Sequence, residues 1–255
     1  MGRTSAKLMR HADRSLRHGR PVVTRNARSW IERSGAAVSW LNQSAGKDMR
    51  FIRGPIPEEH DFQPTEQGWN SIREPDPVWM QVFAVPIILV TAALLFVVIT
   101  LGMVVAWRDV LGRFVLAYVF MIPVHELIHA FVTPAFGMSR RTLVGFWPSR
   151  LLFYTHYDGE LPRQRLLAIL VAPIVLLTVL PLLLCAIFDW NAPTAVAVAC
   201  ANGIGAAGDI LGIAIVLTRI PRGAIVRNKG WRSYWKTGSE RARSSGGLQP
   251  ESPTV

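Results

Sequence analysis

Acidic residues and cysteines are scarce in this chain of 255 residues: 17 Asp and Glu stand against 28 Lys and Arg, and there are only 2 Cys. Cys185 and Cys200 lie in separate apolar runs, where a thiol behaves as a small buried hydrophobe. Two such residues build neither a disulfide framework nor a Cys-based zinc finger. No apolar core of a signal peptide follows the start, so a secretory leader is not expected. The shortage of acid leaves a net charge of +11, which on its own would suit a nucleic-acid binder. The distribution of that charge argues against one. The basic residues concentrate in residues 1–77 and 219–255, while residues 78–218 carry long apolar runs. Lys and Arg in such flanks set membrane topology and meet anionic headgroups.

Composition and patterning therefore predict an all-α membrane protein with four transmembrane helices, over about 80–106, 114–136, 166–188 and 194–217. Each run exceeds the roughly 20 apolar residues that cross a bilayer core. Trp79 and Trp107 bracket the first run as interface anchors do. Residues 137–163 are broken by Arg140, Arg141 and Arg150 and read as strand, turn, strand: a β-hairpin or a membrane-surface loop between helices two and three. Residues 1–77 read as a basic, largely disordered cytoplasmic tail and linker. Within them 29–41 suits an amphipathic surface helix and 54–77 a proline-punctuated linker. An Arg-rich, acid-poor start also describes an organelle transit peptide. Residues 219–255 read as a basic juxtamembrane tail with a disordered end, its charges facing anionic lipid headgroups. Four spans place both termini on one side. That side takes 26 of the 28 basic residues, leaving only Arg108 and Arg113 opposite, so it is assigned to the cytoplasm.

Inside the second run stands His125-Glu126-Leu127-Ile128-His129. Two histidines four apart share a helix face and can hold one zinc ion. The glutamate between them can act as general base on a zinc-bound water, as in a metal-dependent hydrolase. An ionised Glu at mid-bilayer costs roughly 2.5–3.5 kcal/mol on insertion scales, which weighs against a role in packing, the alternative being a polar cluster that only holds helices together. The fourth run carries a second intramembrane carboxylate, Asp209, among small residues from Gly203 to Gly212. With spans two and four running the same way, Asp209 shares a depth with the histidines, which makes it the candidate third ligand. A protonated, hydrogen-bonded carboxyl is the other reading. His156, beyond the second run, is either a surface histidine or an accessory group near the metal.

The segments Ile122-Pro123-Val124-His125-Glu126-Leu127-Ile128-His129-Ala130, Tyr154-Thr155-His156, Leu170-Val171-Ala172-Pro173 and Gly208-Asp209 carry a family resemblance. Over about 80–218 the chain resembles the zincin peptidase family of small bacterial and archaeal membrane proteins, itself similar to the site-2-protease class of intramembrane zinc metalloproteases. The resemblance implies Zn²⁺ held by His125, His129 and Asp209, catalysis by Glu126, and cleavage of membrane-embedded protein or peptide substrates in a plasma membrane. Site-2 proteases carry Asn-x-x-Pro and then Asp-Gly in the Asp-bearing span. Here Asn202, the candidate substrate or oxyanion contact, lacks that proline, and Gly208 precedes the Asp. Two further functions compete: a non-catalytic metal-binding membrane adaptor, and a small metal or proton transporter. The transporter reading lacks an internal repeat.

Overall fold

The computed structural model describes residues 48–237 apart from His60, Asp189 and Asn191. The candidate surface helix at 29–41 and the ends of both tails lie outside the described residues.

The described chain is mostly helical and also carries strands. Helix α1 spans Pro77–Gly102. It starts where Asp76 accepts hydrogen bonds from the Val78 and Trp79 amides, with Pro77 in the first helical position, a favoured start because proline lacks the amide that would go unpaired there. Helix α2 spans Trp107–Val132, so the expected link at 107–113 is its first two turns. Helix α3 runs Arg163–Ile187, with a π-helical stretch at Ile174–Val179 just after Pro173. Helices α4, Pro193–Gly205, and α5, Ala207–Arg219, meet at a 48° bend. Among the described residues three helices are long and apolar enough to cross a membrane, and the bent pair makes a fourth if taken as one span. Their outward faces carry exposed Leu89, Leu101, Leu116, Phe120 and Phe131, a surface that would be an aggregation liability in water.

Two sheets complete the fold of the described residues. Strands β1 (Arg50–Arg53), β3 (Thr142–Trp147) and β4 (Leu152–Tyr157) form the first, with β3 in the centre, β1 parallel to it and β4 antiparallel. A Cβ on Gly145 would lie 2.3 Å from the Tyr154 ring, so only glycine lets that ring cross β3 and its hydroxyl donate to the Gly54 and Pro55 carbonyls. The second sheet orders β2 (Asn70–Ser71), β7 (Arg232–Lys236), β6 (Ile225–Lys229) and β5 (Leu161–Pro162). It gathers the start of α1, the start of α3 and the end of α5 at one end of the bundle. Beneath it Ile72, Val216, Ile220, Ala224 and Val226 form a buried cluster.

Strands β1, β2, β6 and β7 occupy stretches expected to be tail and linker. Residues 50–77 form β1 and β2 and pack on the sheets, and residues 225–236 form the β6–β7 pair. Several basic groups expected at the lipid surface are engaged inside the fold. Arg227 pairs with Glu59, Lys229 donates to Gln63, and buried Lys236 donates to the Gln67 carbonyl. The Trp231 indole donates to the Pro75 carbonyl. The physical reason is long-range pairing: short, polar strands carry little local signal and are fixed by partners far away in the chain.

Candidate metal centre

Helix α2 turns one face inward. His125, Glu126, His129 and Ala130 are buried, while Val124, Leu127 and Phe131 are exposed, the pattern that a 3.6-residue period imposes on a helix packed on one side. Helix α4 packs along that inner face; Gly205 sits where a Cβ would lie 3.2 Å from Met121. The bend after Gly205 starts a new helix whose third residue is Asp209. A carboxylate in a first helical turn is favoured by the unpaired amides there. His125 lies roughly 27 Å along α2 and Asp209 roughly 24 Å along α4 and α5, at 1.5 Å per residue, so the two segments deliver their polar groups to one level.

The three side chains meet there. The two histidine Nε2 atoms are 3.0 Å apart. Asp209 Oδ2 lies 3.0 Å from His125 Nε2, and Oδ1 lies 3.2 Å from His129 Nε2. One ligand atom from each residue falls within a 4.8 Å span, the only such group among the described residues.

The protons on these rings can be assigned from their other partners. His129 Nδ1 is 2.8 Å from the Ile169 carbonyl, which can only accept, so Nδ1 carries the hydrogen. That carbonyl is free because its partner four residues on would be the amide of Pro173, which has none. His125 Nδ1 is 2.8 Å from Asn202 Oδ1. The amide nitrogen of Asn202 donates to the Pro173 carbonyl at 3.0 Å and to the Thr178 hydroxyl at 2.9 Å. This orientation puts Oδ1 toward His125, so its Nδ1 also donates. Both neutral rings then present a bare Nε2 lone pair to the carboxylate. Three acceptors converge with no donor between them, and Asp209 Oδ2 is buried with no hydrogen-bond partner. A bound metal ion would offset three such acceptors. Two imidazole nitrogens and a carboxylate are donors zinc takes, and donors about 2.0–2.2 Å from one tetrahedral centre lie about 3.3–3.5 Å apart, close to the observed separations. The residues fit the metal.

Glu126 stands beside this cluster, buried, with Oε2 accepting from the Thr155 hydroxyl at 2.9 Å. The same hydroxyl lies 2.8 Å from the Glu126 carbonyl. Thr155 sits on β4, so the sheet reaches the glutamate directly. Its neighbour His156 points to the opposite sheet face, as successive strand residues must. There it meets the charges of Arg50 and Glu59 and takes no part in the metal cluster. Asn202 is brought to the site, but behind His125 and with no exposure, so it does not line a substrate surface. Sequence reasoning did not single out Thr155 for Glu126, nor Thr178 or the Ile169 carbonyl. The available signals were a hydroxyl inside an apolar run and a proline four residues after a carbonyl.

No curated protein and no solved structure matches the chain. The model of the family described as "Putative zincin peptidase" matches residues 118–225, from the middle of α2 to the start of β6 and across all four of these polar side chains, and that family implies zinc.

Proposed function

We propose that this protein is an intramembrane zinc metallopeptidase that hydrolyses peptide bonds of membrane-embedded proteins. The observation that carries the reading is the convergence of three acceptors from His125, His129 and Asp209 beside a buried glutamate on the same helix. When bound, zinc polarises a peptide carbonyl and acidifies water. His125, His129 and Asp209 would hold it. Glu126 accepts a proton from the attacking water and returns it to the departing amine as the C–N bond breaks. Thr155 holds the Glu126 carboxylate in place. Strand β4 lies at an edge of its sheet, next to Glu126, and an unwound substrate segment pairs with that edge by strand addition. The bent α4–α5 pair acts as the fourth span. The sheets and both termini lie on the cytoplasmic side, through which water reaches the site.

The test is the full chain, purified in detergent with zinc and incubated with a solubilised membrane-protein fraction, with new N-termini identified by mass spectrometry. Wild type should generate cuts within apolar segments, and Glu126→Gln should reduce them by roughly 10²–10⁴-fold while retaining zinc. Equal cutting by both would refute catalysis by Glu126. Absence of cutting by a zinc-loaded wild type, with one cellular phenotype for both chains, would favour a metal-binding adaptor. Ion flux into liposomes would favour a transporter.

A further inference from the structure

Helix α3 supplies no metal ligand, yet the proton arrangement of the site starts there. Two backbone carbonyls set it, that of Pro173 on α3 and that of Ala199 on α4. The Thr178 hydroxyl donates to the Ala199 carbonyl at 3.2 Å, which leaves its oxygen free to accept from the Asn202 amide at 2.9 Å. The second amide hydrogen goes to the Pro173 carbonyl at 3.0 Å. With both hydrogens committed, Asn202 can present only Oδ1 to His125. The ring must then carry its hydrogen on Nδ1 and turn a bare Nε2 toward His129 and Asp209. Reversal of the Asn202 amide would set its oxygen against the Pro173 carbonyl. It would also place an N–H against His125 Nδ1 and force the ring hydrogen onto Nε2, into the space a metal would take.

We infer that Asn202 and Thr178 are positioning residues that hold His125 in its metal-binding tautomer, and that Asn202 is not a contact for substrate. This rests on the metal-site reading above and does not require peptidase activity. All the polar atoms involved are buried. Thr178 is 7% exposed and Asn202 0%, so water does not replace a missing partner. The π-helical stretch at Ile174–Val179 contains Thr178 and follows Pro173 directly, which fits the frequent use of such stretches to aim side chains at functional sites. Outer hydrogen-bond partners of metal-bound histidines are worth about 10–100-fold in affinity.

The experiment is zinc affinity of the full chain in detergent, by competition with a chromophoric chelator, together with the visible absorption of the Co²⁺-substituted protein. Thr178→Val keeps the side-chain shape and removes the hydroxyl. It should weaken zinc roughly tenfold and alter the cobalt bands, and Thr178→Ser should restore both. Asn202→Leu should weaken zinc more, toward a hundredfold. If Asn202→Leu does not fold, the Thr178 pair decides alone. Wild-type affinity and cobalt spectrum in Thr178→Val would overturn the inference while leaving the metal site standing. A wild-type chain that binds no zinc would instead overturn the metal reading, and this inference with it.

Discussion

Among the described residues histidine is buried in two places, and the neighbours give the two opposite characters. Around His125 and His129 every converging group is an acceptor: two Nε2 lone pairs and the Asp209 carboxylate. Around His156 the fold supplies its own cations. Arg50 and Arg227 stand among Glu59 and Asp158, with Arg227 paired to Glu59 and its guanidinium 4.3 Å above the Phe62 ring. Burial pushes the His156 imidazole down to about 4, and the Arg50 charge adds to that push, against a smaller upward pull from Glu59. Burial also raises the Asp158 carboxyl, with Glu59 as a second upward influence. One cluster brings acceptors together. The other is balanced internally and ties β1, β4 and β6 to the 54–69 segment. A buried histidine suits a ligand or a staple according to whether its surroundings already contain a cation.

The sharpest way to break that comparison is to remove the metal. With free zinc a thousandfold above its dissociation constant, binding stabilises the native chain by about 4 kcal/mol. Chelation should lower the unfolding midpoint of wild type and leave that of Asp209→Ala unmoved. A wild-type midpoint insensitive to chelator would erase the distinction between the two clusters.

Acid should act on the second cluster. The unfolded imidazole titrates near ~6.5, and native His156 near 4. Below pH ~6.5 the unfolded chain takes up a proton that the native His156 refuses, so stability falls as pH drops toward 4 and is flat above that window, with a ceiling of about 3 kcal/mol. Denaturant titrations at pH 7.5 and 4.5 measure the loss, and His156→Gln should show a smaller one. An equal loss in that variant would place the acid sensitivity elsewhere.

A smaller effect links the sheet to the site. Thr155→Val removes the donor to Glu126, and a hydrogen bond to a charged group is worth about 1.5–3 kcal/mol. Turnover should drop roughly tenfold or more, zinc content should hold, and Thr155→Ser should recover the rate. Loss of zinc in the valine variant would show that Thr155 supports folding of the site instead of aiming the carboxylate. The smallest effect concerns the staple. Arg227→Met breaks a partly exposed ion pair and a cation–π contact, together about 1–2 kcal/mol. Zinc affinity should not change. A coupled loss of zinc would mean that the two clusters are not independent.

Much of the candidate metal centre was legible from residue types and spacing. The four-residue interval puts His125 and His129 on one helix face whatever surrounds it, and an apolar run has few reasons to hold His, Glu and Asp. Depth counting brought Asp209 to the same level without any knowledge of packing. The apolar runs also announced the helices, although the ends moved: α2 begins at Trp107, seven residues before the expected start at Phe114, because Trp107 and the charged residues after it extend a helix without adding hydropathy.

What the sequence determined by itself, then, is everything that depends on local period and on transfer from water to hydrocarbon: the long helices, the shared face of His125, Glu126 and His129, and the donor set suited to zinc. The tertiary structure alone decided what depends on partners distant in the chain. It turned the supposed linker at 54–77 and the basic stretch at 225–236 into one strand-bearing layer, set Asn202 behind His125 instead of before a substrate, and faced His156 away from the metal toward Arg50. A hydrogen bond needs a particular atom within about 3 Å. No composition or periodicity says which backbone carbonyl, freed by which proline, will be there to meet it.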